Sequence, residues 1–468
     1  MKDLLYKILF FSTVAILLLF LVQTATQIVS FEPLHGVTEE LEKPKLTFRN
    51  YADGSWQQYI DDYFNKHLGF REPMIRHYNQ YLWDLFKKPN NAHVIRGKEN
   101  CLFEDSYVRD HYESLMYDYT NDTAEMRKIF ETEVLRLWKV QELLKEYDIH
   151  IFVNITPGKD LIYPEYLPEN RFYLRPEGLH AYDYYKKRFD ELGVNYIDNI
   201  ALFKQLKNNV DYPLFPKTGT HWSNIASVYV FDSILRYMEV LGNQKLRDLE
   251  ISKKYTAPTR KPDDDLEQLL NLARPIPSPP NYYVDVKVID DSTAAKPYFT
   301  VIGDSYHWNF IYNIPLLDIF QKVPYWYYNY IIYGDEENTG TLNLDLEKEL
   351  MRTDYIMLNY GTTSLYGLGS CFLPRALLYL CYDQATIDSV ASRVIETIKK
   401  DKKWYAELLE ESKIKHKKVE DILYDLALYM IKTNPEKYID ELKGDKLPTS
   451  RNKNLKKLRT TYNNHIIQ

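Results

Sequence analysis

The sequence predicts a three-layer α/β domain on a mostly parallel sheet, behind an apolar N-terminal helix and ahead of a charged helical tail. Three observations predict it. Apolar runs at 149–155, 298–302 and 354–358 alternate with helical patterns at 124–147, 179–192 and 222–241. Strands that are apolar throughout suit a sheet covered on both faces. Residues 8–31 carry no charge, and the chain turns charged and helical from Ala385 onward.

Taken in order, the elements divide the 468 residues into four parts. Residues 1–31 form an anchor. The stretch from Ile8 to Val22 is almost wholly apolar, enough to cross a bilayer as a helix. Lys2 and Lys7 precede it, and Glu32, Glu39 and Glu40 follow, so the positive-inside rule puts the bulk of the chain outside the cytoplasm. The stretch 23–27 is a poor cleavage site, which favours a retained anchor over a removed signal peptide. Residues 32–93 read as a linker followed by one or two amphipathic helices between Trp56 and Phe86. Residues 94–383 carry the main domain. It opens on a strand pair at 94–103 and includes a short strand at 194–197, a strand at 298–302 and a helix at 308–320. Within it, Pro258 to Pro280 is Pro-rich and acidic and reads as a surface loop or insertion. Residues 384–468 read as a solvated helical tail ending in a basic stretch, Arg451 to Arg459, with contact to a membrane partner or an anionic surface as the alternative.

Composition excludes little but helps. The chain is 45% hydrophobic and 27% charged with a net charge of −7, so no basic face for nucleic acid is expected. Its three cysteines form no C-x-x-C, and no His/Cys cluster suggests a metal; no cofactor is expected. Cys371 and Cys381 could pair outside the cytoplasm, or all three could be unpaired buried thiols. His307 beside Trp308 reads as a packing residue.

Two motifs carry chemistry. Gly303-Asp304-Ser305-Tyr306 ends an apolar strand and opens a helix, which places a serine hydroxyl where it can face a pocket. Gly219-Thr220-His221-Trp222-Ser223 lies upstream, its histidine 84 residues before the serine. A histidine from a separate segment can serve as the serine's base, so Ser305 and His221 are the candidate catalytic pair. Asn359, just past the strand at 354–358, is a candidate oxyanion donor or a turn former, and Lys159 a candidate substrate-binding or structural residue.

The motif order, histidine before serine, resembles the SGNH-like domain of the alginate O-acetyltransferase family (AlgJ/AlgX type). Three further stretches strengthen the likeness: Arg96-Gly-Lys-Glu-Asn-Cys-Leu-Phe103, the pair Thr156-Pro-Gly-Lys159 with Ile162-Tyr-Pro-Glu-Tyr-Leu-Pro168, and Leu68-Gly-Phe-Arg71. The likeness covers roughly residues 50 to 380. It implies a membrane-anchored, extracytoplasmic O-acetyltransferase that passes an acetyl group through an acyl-serine to a polysaccharide hydroxyl. A membrane-bound O-acyltransferase would be the acetyl source. A carbohydrate acetyl-esterase and a non-catalytic polysaccharide-binding or assembly protein are the alternatives. The family motif usually places an aspartate two residues before the histidine; here that residue is Gly219. Asp211 and Asp198 are candidate replacements, while Thr218 and Thr220 could orient the ring only by hydrogen bonding. A Ser–His dyad and an inactive site stay open.

Overall fold

The computed structural model describes residues 2–36, 41–112, 123–168, 180–334, 340–341 and 344–466. Its strands are β1 (Val94–Arg96), β2 (Leu102–Glu104), β3 (His150–Thr156), β4 (Tyr196–Asp198), β5 (Leu249–Ala257), β6 (Asn281–Val288), β7 (Phe299–Gly303), β8 (Tyr325–Tyr327), β9 (Ile331–Tyr333) and β10 (Tyr355–Gly361). Six of them make the central sheet in the order β4-β3-β10-β7-β8-β9. Every pairing in it is parallel except β8 with β9. The sheet is mixed, with its antiparallel strand at one edge.

Period-two alternation puts successive side chains of a strand on opposite faces. One face of the sheet gives Ile151, Val153, Ile155, Ile356 and Leu358 to a core shared with helices Thr123–Lys145, Ala181–Leu192 and Phe372–Cys381. The other gives Phe152, Val301 and Met357 to a core shared with helices Asn224–Gly242 and His307–Asn313. The expected three layers are therefore present.

Three sequence expectations change. The helix expected over 308–320 is broken into His307–Asn313 and Leu316–Ile319. Pro315 lies at the break; it has no N–H to continue the ladder and disfavours helix in the residue before it. The C-terminal helices are not a solvated tail. Ile387, Val394, Leu408, Leu423, Ala427, Ile431 and Leu455 are buried in the same core as the sheet. Arg459, from the terminal basic stretch, pairs with Asp354 at 2.9 Å and donates to the carbonyls of Tyr147, Asp148, Met351 and Thr353. Finally, 258–280 is not a bare loop. It is the tip of a two-stranded antiparallel ribbon, β5–β6, and contains a short helix, Asp265–Leu270. All three cysteines are free. Cys371 and Cys381 lie at opposite ends of one helix, about 15 Å apart at 1.5 Å rise per residue, too far for a bond.

Helix Lys2–Thr26 is 25 residues long, contains an 18-residue stretch with a mean hydropathy of 2.4, and could span a membrane. The expected amphipathic segment is two helices, Ser55–His67 and Arg71–Phe86, with a shorter one, Phe48–Ala52, before them. The break falls where Phe70 takes a left-handed φ of 61°. Part of the 179–192 expectation and Glu39 and Glu40 lie outside the described residues.

Candidate active site

The serine turn is built by close approach of two strands. Gly303 faces Asn359 in the β7–β10 register. A Cβ on residue 303 would lie 2.1 Å from the Asn359 carbonyl oxygen, so only glycine fits. Beyond it, the Asp304 N–H donates to that carbonyl (3.0 Å). The buried Asp304 carboxylate accepts from the N–H groups of Gly361 (2.6 Å) and Tyr306 (3.2 Å). Burial pushes this carboxyl above its usual range, against the lowering effect of those two N–H groups. Asp304 thus ties the turn together and leaves Ser305 half-buried at the sheet's carboxyl edge, where sites of open α/β sheets form.

His221 reaches Ser305 from the other motif. Trp222 is fully buried against Tyr306 and Phe310. Ser223 caps helix Asn224–Gly242 by accepting from the Ala226 N–H (3.4 Å), and its own hydroxyl donates to the Pro213 carbonyl (2.7 Å). Anchored on both counts, the segment projects His221 so that Nε2 lies 2.7 Å from Ser305 Oγ. The Tyr306 ring stands edge-on to the imidazole at 4.8 Å. The structure therefore brings together the two residues the motifs singled out.

The acid partner is one the sequence reading missed. His221 Nδ1 lies 2.8 Å from Asp265 Oδ2, and the other carboxylate oxygen accepts from the N–H groups of Thr220 and Leu266, both at 2.8 Å. Asp211 and Asp198 are not at the ring. Asp211 is exposed and pairs with Lys254. Asp198 caps helix Asn199–Leu206 and pairs with Tyr182 and Lys186. The only hint of Asp265 in the sequence was the acidic run 263–265 between prolines.

Gly219 explains why the usual acid position is empty. A Cβ there would lie 2.4 Å from the Asp263 carbonyl oxygen and 2.8 Å from Pro216 Cγ. The backbone that delivers Asp265 occupies the space that an aspartate at 219 would need. Burial opposes protonation of His221, but the bonded Asp265 carboxylate, with Glu104 and Asp304 nearby, outweighs it and raises the ring's pKa above the usual histidine value.

Lys159 does not face a cleft. Its buried ammonium donates to the carbonyls of Leu102, Pro216, Lys217 and Gly219 at 2.6–3.0 Å. It ties β2 to the loop ahead of His221, and burial lowers its pKa. Asn359 lies buried in a ladder across the sheet: Asn199 donates to Asn154, and Asn154 donates to Asn359 Oδ1 at 2.8 Å. That ladder leaves Asn359 Nδ2 as a buried donor without a partner. His307 is fully buried against Phe310 and Tyr325, with neither ring nitrogen hydrogen-bonded. Among the described residues, no group of three His, Cys, Asp or Glu side chains is placed to hold a metal.

Residues 94–314 match the family model described as SGNH hydrolase-like domain, acetyltransferase AlgX. No curated protein sequence matches the chain. Among solved structures, the O-acetyltransferase domain of Pseudomonas putida AlgJ is 18% identical, with 58% of this chain and 92% of that one covered and a TM-score of 0.37. Pseudomonas aeruginosa AlgX is 13% identical over 59% and 69% of the two chains, TM-score 0.36. Bacillus cereus PatB1 with a sulfonyl adduct is 11% identical over 51% and 90%, TM-score 0.37. At such scores these three likenesses carry no argument, and the likeness to the family is the match over 94–314.

Proposed function

We propose, for a chain whose residues 94–314 are an SGNH hydrolase-like domain of the AlgX acetyltransferase family, that Ser305, His221 and Asp265 transfer an acetyl group through an acyl-serine to a hydroxyl of a polysaccharide. One observation carries the reading: the continuous hydrogen-bonded line Ser305 Oγ–His221–Asp265, with gaps of 2.7 and 2.8 Å. Three groups that meet in this way from three separate segments are the arrangement nucleophilic acyl transfer needs.

In the first half-reaction, His221 Nε2 takes the Ser305 proton as Oγ attacks the acetyl carbonyl. Asp265 holds Nδ1–H and stabilises the imidazolium. The Ser305 N–H and Asn359 Nδ2 are the proposed donors to the oxyanion. Collapse of the tetrahedral intermediate returns the proton from His221 to the donor's leaving oxygen and leaves an acetyl-serine ester. In the second, His221 takes a proton from a sugar hydroxyl as its oxygen attacks that ester, then returns the proton to Ser305 Oγ as the serine leaves. With water as acceptor the same steps give an esterase. Asp265 weighs against the non-catalytic reading, which rested on the missing acid at 219.

The apolar helix Lys2–Thr26 would hold this domain outside the cytoplasmic membrane, with a membrane-bound O-acyltransferase as the acetyl source. Incubation with an acetyl donor and mass spectrometry of the intact protein tests the chemistry. One acetyl group should appear on a Ser305-containing peptide and leave on addition of glycan. Labelling elsewhere, or none in a protein that still turns over, rules the mechanism out. Protease accessibility in cells permeabilised only at the outer layer tests the location; a domain protected until the inner membrane is lysed overturns it.

A further inference from the structure

Asp265 sits on a helix of only 6 residues, too short to be stable alone. Its outer contacts come from an unexpected place. Asn79, on helix Arg71–Phe86, is 4% exposed. Its amide donates to the carbonyls of Leu270 (2.8 Å) and Asn271 (3.3 Å), at the carboxyl end of Asp265's helix. Its oxygen accepts from Asn90, which fixes the amide's orientation. One turn further along, Trp83 packs into a small core with Leu266 and Leu270. The Arg96 guanidinium lies 3.9 Å from the Trp83 ring centre and donates to its carbonyl. The apolar side and the last carbonyls of Asp265's helix are thus received by a segment outside the family-matched region.

That segment is tied to the N-terminal apolar helix. Gly69 donates to Thr24 Oγ1 (2.8 Å), and a Cβ on Gly69 would lie 2.8 Å from Gln23. The Phe70 and Phe20 rings meet at 5.4 Å. The linker after the apolar helix also pairs directly with the residue following Asp265's helix: His35 and Asn271 exchange two hydrogen bonds.

We propose that Asn79 is a positioning residue for Asp265. Helix Arg71–Phe86 sets where the acid stands against His221, so the site is complete only when the N-terminal segment is docked on the 258–280 insertion. This rests on the reading of Ser305, His221 and Asp265 given above. Asn79 touches no reacting atom; it acts through the helix that bears Asp265. An apolar side chain at 79 would leave the Leu270 and Asn271 carbonyls without their donor and free the short helix to shift.

The test compares Asn79→Leu, Asp265→Asn and the double variant, each as full chain in detergent micelles. Two quantities are read: kcat/KM on a chromogenic acetyl ester across pH, and the His221 ring pKa by NMR of labelled histidine, with thermal unfolding confirming the fold. Asn79→Leu should lower kcat/KM by about 10- to 100-fold, the scale of a displaced catalytic group. It should also move the His221 pKa down, the direction of Asp265→Asn. In the Asp265→Asn background it should cause no further loss. If Asn79→Leu does not fold, Asn79→Ser removes the same bond with less disruption. A His221 pKa unchanged by the Asn79 variants, or losses that multiply in the double variant, overturns the positioning role and leaves the three-residue site standing. If Asp265→Asn itself changes neither rate nor ring pKa, the three-residue site fails, and the proposal with it.

Discussion

The two halves of the site are held in different ways. Ser305 follows a strand in the middle of the mixed sheet, paired in parallel with β10 and β8 on either side and with a core on both faces. Its turn is tied by Asp304 to β10 and by the Tyr325 hydroxyl, which donates to the Asp304 carbonyl. Asp265 belongs to the tip of a ribbon, with a third of its side chain exposed, and depends on contacts from Thr220, Asn79 and Trp83. A nucleophile at a sheet edge inherits the rigidity of the whole domain. An acid on an insertion has only the few contacts that receive it. The residue that is easiest to move is therefore the one proposed to orient the base.

The comparison can be broken first at its rigid half. Ser305→Ala and His221→Ala should each lower kcat/KM on an acetyl ester by about 10³-fold or more, and the double variant should lose little beyond either, since the two act as a unit. Near-normal activity in both singles would reject the assigned site.

The half borne on the insertion should respond less. Asp265→Asn should reduce kcat/KM by about 10²-fold, because the proposed nucleophile, base and oxyanion donors remain. Its signature is the pH profile. The base must be neutral, so wild-type activity should rise through a pKa above the usual histidine value. Without the carboxylate that raises it, the acidic limb should move to lower pH. A limb that stays in place would mean that Asp265 does not govern the ring.

Gly219→Asp sharpens the contrast. By the family pattern it restores the missing acid; by the geometry it collides with the Asp263 carbonyl. We expect about a 10-fold loss, since a displacement of about 1 Å is costly. A gain in rate would show that the insertion can yield and that Asp265 is dispensable.

The last expected effect is on stability rather than on rate. Burial lowers the pKa of His307 from 6.5 to about 3, so the folded protein keeps this ring neutral. The unfolded chain binds a proton below pH 6.5 that the folded one refuses. Stability from this group is complete above pH 6.5 and falls by about 1.4 kcal/mol per pH unit between there and about pH 3. Chemical denaturation of wild type and His307→Phe across that window should show a shallower acid loss in the variant. Parallel curves would assign the acid loss to other groups.

Ser305, His221 and the buried strands were legible because their signals are local. An apolar run that ends in Gly-Asp-Ser and a histidine ahead of a helix cap are patterns of a few residues. The apolar helix was legible for the same reason. Lys159 was visible as a candidate, but its role was not, since a lysine among four carbonyls reads in sequence like any other lysine. The C-terminal helices were read as solvated because their charged faces dominate the composition, while the stripe with Ile387, Val394 and Ile398 counts only once a partner face is known.

By itself the sequence determined the strands β3, β7 and β10 with the long helices between them, the three-layer class, the apolar span and the candidate Ser305–His221 pair, all of which follow from periodicity and residue type over short windows. Tertiary structure alone decided which acid faces His221, why residue 219 must be glycine, and that a helix near the N-terminus supports the helix bearing that acid. Those depend on contacts between segments 44 and 191 residues apart, where what matters is the few ångströms left between backbones, and no local pattern encodes that distance.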